Sequence, residues 1–231
     1  MDAEQECFLP LVAAFVRGRL LVEGDFAARS LFAAPLDSLS MDEMRELLSI
    51  GIGRGLRLHK FKRTMELPRV QRVLGTLKGL QPASLLDIGS GRGTFLWPLL
   101  DSFPWLPVTA VDILDRRVED ILAVQRGGIE QVSAVKADAT GLPFPDAHFD
   151  VVTALEVLEH IPDANAAMAE IARVARRAVV LSVPSHPDDN PEHIHLFDGP
   201  KLTAMLRRAG IERVNVSHVH NHVVVVGTRQ R

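Results

Sequence analysis

The segment Leu85-Leu86-Asp87-Ile88-Gly89-Ser90-Gly91-Arg92-Gly93-Thr94-Phe95 places three glycines after an apolar run and before a helical pattern. Glycine tolerates positive φ and lets a ligand touch the backbone. The start of the following helix offers N–H groups to an electronegative part of that ligand. A dinucleotide-binding loop needs glycine at its first, third and sixth positions; here those are Gly89, Gly91 and Thr94. Asp87 would repel a pyrophosphate, but its charge suits an ammonium and a sulfonium. About twenty residues on, Asp112 ends the next apolar run, where a carboxylate accepts from both hydroxyls of a ribose. Asp138 ends the third run, placed to accept from an adenine amino group, with Ile113 and Leu142 over the ring faces. The chemistry is that of holding a cationic nucleoside.

A second group follows the fourth run: Glu156, Glu159 and His160 stand at i, i+3 and i+4, so one helical turn points them the same way. A deprotonating group is wanted there if the acceptor is weakly nucleophilic. After the fifth run comes Glu192-His193-Ile194-His195-Leu196-Phe197, and loops after adjacent strands open on the same edge. Two carboxylates and two imidazoles without a thiolate suit a hard or intermediate divalent ion such as Mg, Mn or Co.

These groups need a scaffold. From Ala83 onward, short apolar runs alternate with helical segments, the pattern of β and α units. Strands are expected at 84–88, 107–112, 132–136, 149–154, 178–183, 211–217 and 222–228, and helices at 93–103, 115–126, 164–175 and 199–209. The last two strands are joined by a few residues around Asn221, too few for a helical crossover, so the final strand must be antiparallel. The first eighty residues read as helices: Phe8, Leu9, Val12, Val16 and Leu20 at helical spacing, a capping box of Ser40 and Glu43 with Leu39 and Met44 as a staple, and a helix from Pro68. The boundary falls near Gln81-Pro82, giving a helical extension or lid over 1–80 and an α/β domain over 81–231.

Composition narrows the class. The 231 residues carry Lys+Arg 26 against Asp+Glu 29, a net charge of −3, which excludes a polyanion binder working through bulk charge. The single cysteine, Cys7, excludes an intramolecular disulfide framework and a thiolate-rich zinc module. The run Phe8 to Val16 is too short to span a bilayer, and the acids Asp2, Glu4 and Glu6 precede it where a secretory signal carries positive charge. A cytoplasmic protein is expected.

Four elements in order, LLDIGSGRG (85–93), TAVDI (109–113), KADATGLPFPDAHFDVV (136–152) and ALEVLEHI (154–161), resemble the class I S-adenosylmethionine-dependent methyltransferases. The resemblance covers roughly residues 80–231. It implies a Rossmann-like seven-stranded sheet in the order 3-2-1-4-5-7-6 with strand 7 antiparallel. It also implies that Asp87, Gly89 and Gly91 line the methionine part of S-adenosyl-L-methionine. Asp112 then takes the ribose, Asp138 with Ala139 the adenine, and Ile113 and Leu155 complete the cofactor contacts. Glu156, Glu159 and His160 become the candidate catalytic groups. The EVLEH segment is similar to those of quinone-biosynthesis O-methyltransferases and small-RNA 2′-O-methyltransferases, which implies Glu156, Glu159, His160 and His195 as ligands of a metal.

The expected reaction is methyl transfer to an oxygen, ahead of carbon or nitrogen, of a small-molecule acceptor. RNA ribose 2′-O-methylation and a non-catalytic cofactor-binding protein are the alternatives. Residues 51–80 hold eight basic side chains against the single acid Glu66. Among these, Lys60, Lys62 and Arg63 are candidates for an acceptor anion, and Phe61 for stacking a base. The helical first third can cap the site or pair two subunits in a homodimer. His218, His220 and His222 read as polar residues of a turn.

Overall fold

The computed structural model describes residues 7–24, 31–32, 34–187 and 189–229; Asp2, Glu4 and Glu6 lie outside them. In chain order the helices and strands are α1 (Leu9–Glu23), α2 (Met41–Gly53), α3 (Pro68–Leu80), β1 (Leu85–Ile88), α4 (Leu96–Ser102), β2 (Val108–Asp112), α5 (Asp115–Arg126), β3 (Val132–Lys136), β4 (Phe149–Leu155), α6 (Ala164–Val174), β5 (Ala175–Pro184), α7 (Gly199–Arg208), β6 (Arg213–Val219) and β7 (His222–Thr228). Among the described residues, no helix is long and apolar enough to cross a membrane.

The seven strands form one sheet in the order β3-β2-β1-β4-β5-β7-β6. Strands β1 to β5 pair in parallel, whereas β7 runs antiparallel to both β5 and β6. Every residue of β1 and β4 is buried, as strands covered on both faces must be. The edge strand β6 is mostly exposed. Its hairpin to β7 turns through His220 and Asn221, and Asn221 takes the left-handed conformation (φ 59°) such a two-residue turn requires.

Side chains alternate across the sheet and divide the core in two. Leu86, Ile88, Val152 and Val179 pack under α6 and α7. On the opposite face Leu85, Val151 and Val180 pack with Phe8 just before α1, Val12 of α1, Leu47 of α2, Leu77 of α3 and Trp97 of α4. The chain before Pro82 thus supplies most of a helical layer and shares its core with the sheet. The pattern changes at Gln81, but the packing runs through it. α1 lies against α5 almost backbone to backbone: a Cβ on Gly18 would sit 1.8 Å from the Ala123 carbonyl oxygen, and one on Gly127 would sit 1.8 Å from that of Ala14. The α2 start carries its capping box, with Ser40 N–H donating to Glu43 Oε2 at 2.7 Å and Glu43 N–H to Ser40 Oγ at 3.3 Å.

The basic segment corrects the expectation placed on it. Leu58–Phe61 forms a short 3₁₀ turn that tucks Phe61 fully inside, between the rings of Phe15 (5.2 Å) and Trp97 (4.8 Å). Burying such a ring contributes roughly 1.5–3 kcal/mol, so it is not available to stack a base. Lys60 is also withdrawn: its ammonium pairs with Asp120 of α5 and lies over the Phe15 ring. These residues pin the segment to the helical layer.

Candidate functional site

The glycine loop after β1 is built by its own hydrogen bonds. Gly89, Gly91 and Gly93 all have positive φ (67°, 57° and 82°), which delays the helix start from the expected residue 93 to Leu96. A Cβ on Gly89 would lie 2.4 Å from Val157 Cγ2, so position 89 is restricted by space as well as conformation. The amides of Gly89 and Ser90 donate to the Val111 carbonyl, that of Gly91 to Asp112 Oδ2, and that of Gly93 to the Ser90 carbonyl. Four loop amides are therefore spent within the protein, and the expected offer of N–H groups to an anion is not what this loop provides. A pyrophosphate would find few donors; a cation meets carboxylates.

Asp87 projects from β1 at 2% exposure. Its carboxylate accepts from Thr153 Oγ1 of β4 at 2.7 Å and from Ser90 Oγ at 2.8 Å. Burial pushes its pKa up to about 6; the two hydroxyl donors pull the other way, and nearby Asp112 adds to the rise. Asp112 ends β2 with Oδ2 on the Gly91 amide and Oδ1 on the Leu114 amide, both at 2.9 Å. Each oxygen keeps a further lone pair for a ligand hydroxyl. Beside it Ile113 is 58% exposed, an apolar side chain free to cover a flat ring. After β3, Asp138 Oδ1 accepts from the backbone amide and the hydroxyl of Thr140, which hold its pKa below the usual carboxylate range. Ala139 and Leu142 are buried next to it.

One cleft at the ends of β1 and β4 joins Asp87, Gly89, Gly91, Leu155, Glu156 and Arg69. Arg69 lies in the first turn of α3; among the described residues its guanidinium makes no hydrogen bond or ion pair, and the sequence marks it only as one cation among eight.

The expected cluster of Glu156, Glu159, His160 and His195 does not form. Glu156 adopts φ 56° immediately after β4, so no helical turn links it to Glu159 and His160; those two lie in a 3₁₀ turn, Leu158–His160. The Glu156 side chain turns back over the sheet. Its Oε1 accepts from Ser182 Oγ of β5 at 3.0 Å and its Oε2 from His222 Nε2 of β7 at 2.9 Å. His195 donates from Nε2 to the carbonyls of Ile161 (3.1 Å) and Pro162 (3.2 Å). Both are thereby drawn away from the proposed metal set. What remains is Glu159, 1% exposed, with His160 and His193, whose ligand atoms lie within 4.8 Å of one another. His160 Nδ1 donates to the Glu192 carbonyl at 3.0 Å, and its ring meets that of His193 edge-on. The four predicted donors do not fit one ion.

His222, set aside as a turn residue, proves to face the cleft wall. Its Nδ1 donates to the His220 carbonyl at 2.9 Å while Nε2 donates to Glu156. A ring donating from both nitrogens is an imidazolium. The Glu156 carboxylate raises its pKa above the ordinary value, against burial and the Arg69 charge, which lower it. The signal lay in register, since β7 pairs His222 with Pro184 at the end of β5.

Comparison with known proteins agrees with this geometry. The family described as "Methyltransferase domain" matches residues 86–183. O-methyltransferase cnsE of Penicillium expansum is 33% identical over 172 residues, covering 67% of this chain and 62% of that protein. The malonyl-[acyl-carrier protein] O-methyltransferase of Geobacter sulfurreducens is 30% identical over 182 residues, covering 67% of this chain and 64% of that one. The chain thus spans somewhat under two thirds of the length of these relatives. A crystal structure of a SAM-dependent methyltransferase from Aquifex aeolicus superposes with a TM-score of 0.59 at 23% identity, over 71% of this chain and 91% of that one. With the sheet order, the glycine loop and the strand-end aspartates in place, residues 86–183 belong to the methyltransferase domain family, and the fold is that of the class I S-adenosylmethionine-dependent methyltransferases.

Proposed function

We propose that this protein transfers the methyl group of S-adenosylmethionine to an oxygen of a small-molecule acceptor. The observation that carries the reading is the cleft that has the buried Asp87 carboxylate on one side and Glu156 on the other. Asp87 favours the cationic methionine end, and Arg69 suits its carboxylate. Asp112 suits the ribose hydroxyls, Asp138 the adenine amino group, and Ile113 with Leu142 the ring faces.

Methyl transfer from a sulfonium is an in-line displacement whose leaving group needs no proton. The protein aligns the reactants and keeps water out. It also takes the acceptor's proton where the acceptor is a weak nucleophile. Of the three candidate groups for that proton, Glu156 alone lines the cleft; Glu159 is buried and His160 faces Glu192. Oxygen is favoured because the relatives described above carry O-methyltransferase names. A small molecule is favoured over RNA because Phe61 and Lys60, the side chains that suggested a nucleic acid, are committed to packing and to Asp120. No step is assigned to a divalent ion, since Glu156 and His195 are engaged elsewhere.

The test is a methyl-donor consumption screen against phenols, hydroxy acids, carboxylic acids and a short RNA duplex, with and without chelator, beside calorimetry of the cofactor. Turnover of a hydroxylated small molecule is expected. Cofactor binding without turnover of any acceptor would favour the non-catalytic alternative, and turnover of the duplex alone would overturn the small-molecule reading.

A further inference from the structure

The Glu156 carboxylate is held by two strands distant from it in sequence. Ser182 of β5 and His222 of β7 each place one donor on one oxygen, at 3.0 and 2.9 Å. The backbone does not need this arrangement. Glu156 N–H already donates to the Ser182 carbonyl at 2.8 Å, and β7 is registered on β5 from Thr228 to His222 by its own ladder. The side-chain contacts therefore fix where the carboxylate points, not where the strands lie. The left-handed conformation of Glu156 is costly in a residue with a Cβ, and it is what turns that side chain over the strand ends.

A carboxylate has about four lone-pair sites, and Ser182 and His222 occupy two. Glu156 is a quarter exposed and lines the cleft, so the remaining sites are open to a ligand there. His222 is better shielded, at 16%, and has both ring nitrogens engaged, so it cannot itself accept a proton from a ligand. Among the described residues, Arg69 from α3 acts on His222 and Asp87 from β1 lines the same cleft as Glu156; the hairpin places the His220 carbonyl on His222 Nδ1.

We propose that His222 is a positioning residue for methyl transfer: its ring, reaching from β7, holds the Glu156 carboxylate against the cleft so that this group receives the acceptor's proton. The inference rests on the methyltransferase reading above and extends it to a residue that reading did not use. In the step, a lone pair of the acceptor oxygen forms the new O–C bond to the methyl carbon. The S–C bond breaks with its electron pair passing to sulfur, which becomes a neutral thioether. The acceptor's O–H proton passes to Glu156. His222 keeps the carboxylate aimed before that proton arrives. Without it, the carboxylate is held at one oxygen only, by Ser182, and its other oxygen is no longer fixed. Acceptors with a hydroxyl, phenols foremost, fit this arrangement better than a carbon acid, whose proton needs a stronger base.

Two variants separate positioning from scaffolding. His222→Gln keeps a neutral donor of similar reach, whereas His222→Leu removes the donor. With S-adenosylmethionine and the phenol turned over fastest in the screen, His222→Leu is expected to lose about 100-fold in kcat and His222→Gln about tenfold, typical of removing or weakening one charge-assisted hydrogen bond. Cofactor affinity by calorimetry should stay within about threefold in both. Unchanged kcat, or equal losses in the two variants, would overturn the proposal; so would loss of cofactor binding together with activity, which is the mark of a structural role. An acceptor-independent measurement accompanies these. In the complex with S-adenosylhomocysteine, ring nitrogen-15 shifts should show His222 losing its second proton at a higher pH in the wild type than in Glu156→Gln. A His222 ring titrating alike in both proteins would sink the pairing itself. If wild-type protein does not bind the methyl donor at all, the underlying reading has failed instead, and calorimetry reports that separately.

Discussion

Replacing Asp87 by asparagine should move stability and cofactor binding in opposite directions. The Asp87 carboxylate is buried, and its pKa of about 6 lies well above the unfolded value of 3.8. A carboxylate whose folded pKa is raised weakens the fold as it ionises. The penalty is absent below the unfolded pKa, grows between pH 4 and 6, and is complete above that. At 1.36 kcal/mol per unit, the difference amounts to about 3 kcal/mol at neutral pH. Asparagine keeps the shape without the charge, accepting from one of the Thr153 and Ser90 hydroxyls and donating its N–H to the other after that hydroxyl rotates. The unliganded variant should therefore melt higher, by about 6–12 °C, in a chain of this size.

The same charge attracts the sulfonium. At a separation of about 6 Å and an effective dielectric of 20, the attraction is ~3 kcal/mol, which sets an upper bound near 100-fold. Calorimetry should show S-adenosylmethionine binding about 10- to 100-fold more weakly to Asp87→Asn, with S-adenosylhomocysteine, whose sulfur is neutral, changing several-fold less. In the wild type, the preference for the charged form should shrink on going from pH 7.5 to pH 5, where the carboxylate is largely protonated. Equal weakening of both ligands, or a variant that melts lower, would refute the reasoning.

Other expectations are simpler. Gly89→Ala puts a Cβ 2.4 Å from Val157 Cγ2 at a positive φ, so cofactor affinity should fall at least tenfold by calorimetry and stability by about 1–3 kcal/mol. Phe61→Ala empties the space between Phe15 and Trp97 and should cost about 3–5 kcal/mol in urea unfolding, without changing retention on an RNA column. Dialysis against EDTA should leave turnover unchanged, because Glu156 and His195 are bonded elsewhere; activity lost to EDTA and restored by Mn would overturn that assignment.

What could be read from residues alone was what depends on local pattern. The runs carrying Asp87 and Asp112 became β1 and β2, Asp138 lies just past the end of β3, and the short link at Asn221 dictated the antiparallel last strand. Ser40 and Glu43 announced their helix because a capping box is complete within four residues. The carboxylate–histidine cluster was misread because i, i+3, i+4 spacing carries meaning only in a helix, and nothing in the composition of EVLEH marks Glu156 for a left-handed conformation. Phe61 among cations resembled a stacking platform, whereas the turn that buries it is set by contacts with α1 and α4. The partnership of Glu156 with His222 spans 66 residues and depends on the β5–β7 register, beyond the reach of any local rule.

The seating of α1 against α5 also has a consequence for biosynthesis. Gly18 meets Ala123, about a hundred residues further along the chain. At ordinary elongation speeds the ribosome takes roughly 5–20 s to cover that distance. For the later part of that interval, once it has left the exit tunnel, α1 has its apolar surface bare and its docking groove not yet made. This stretch is where a nascent-chain chaperone would bind.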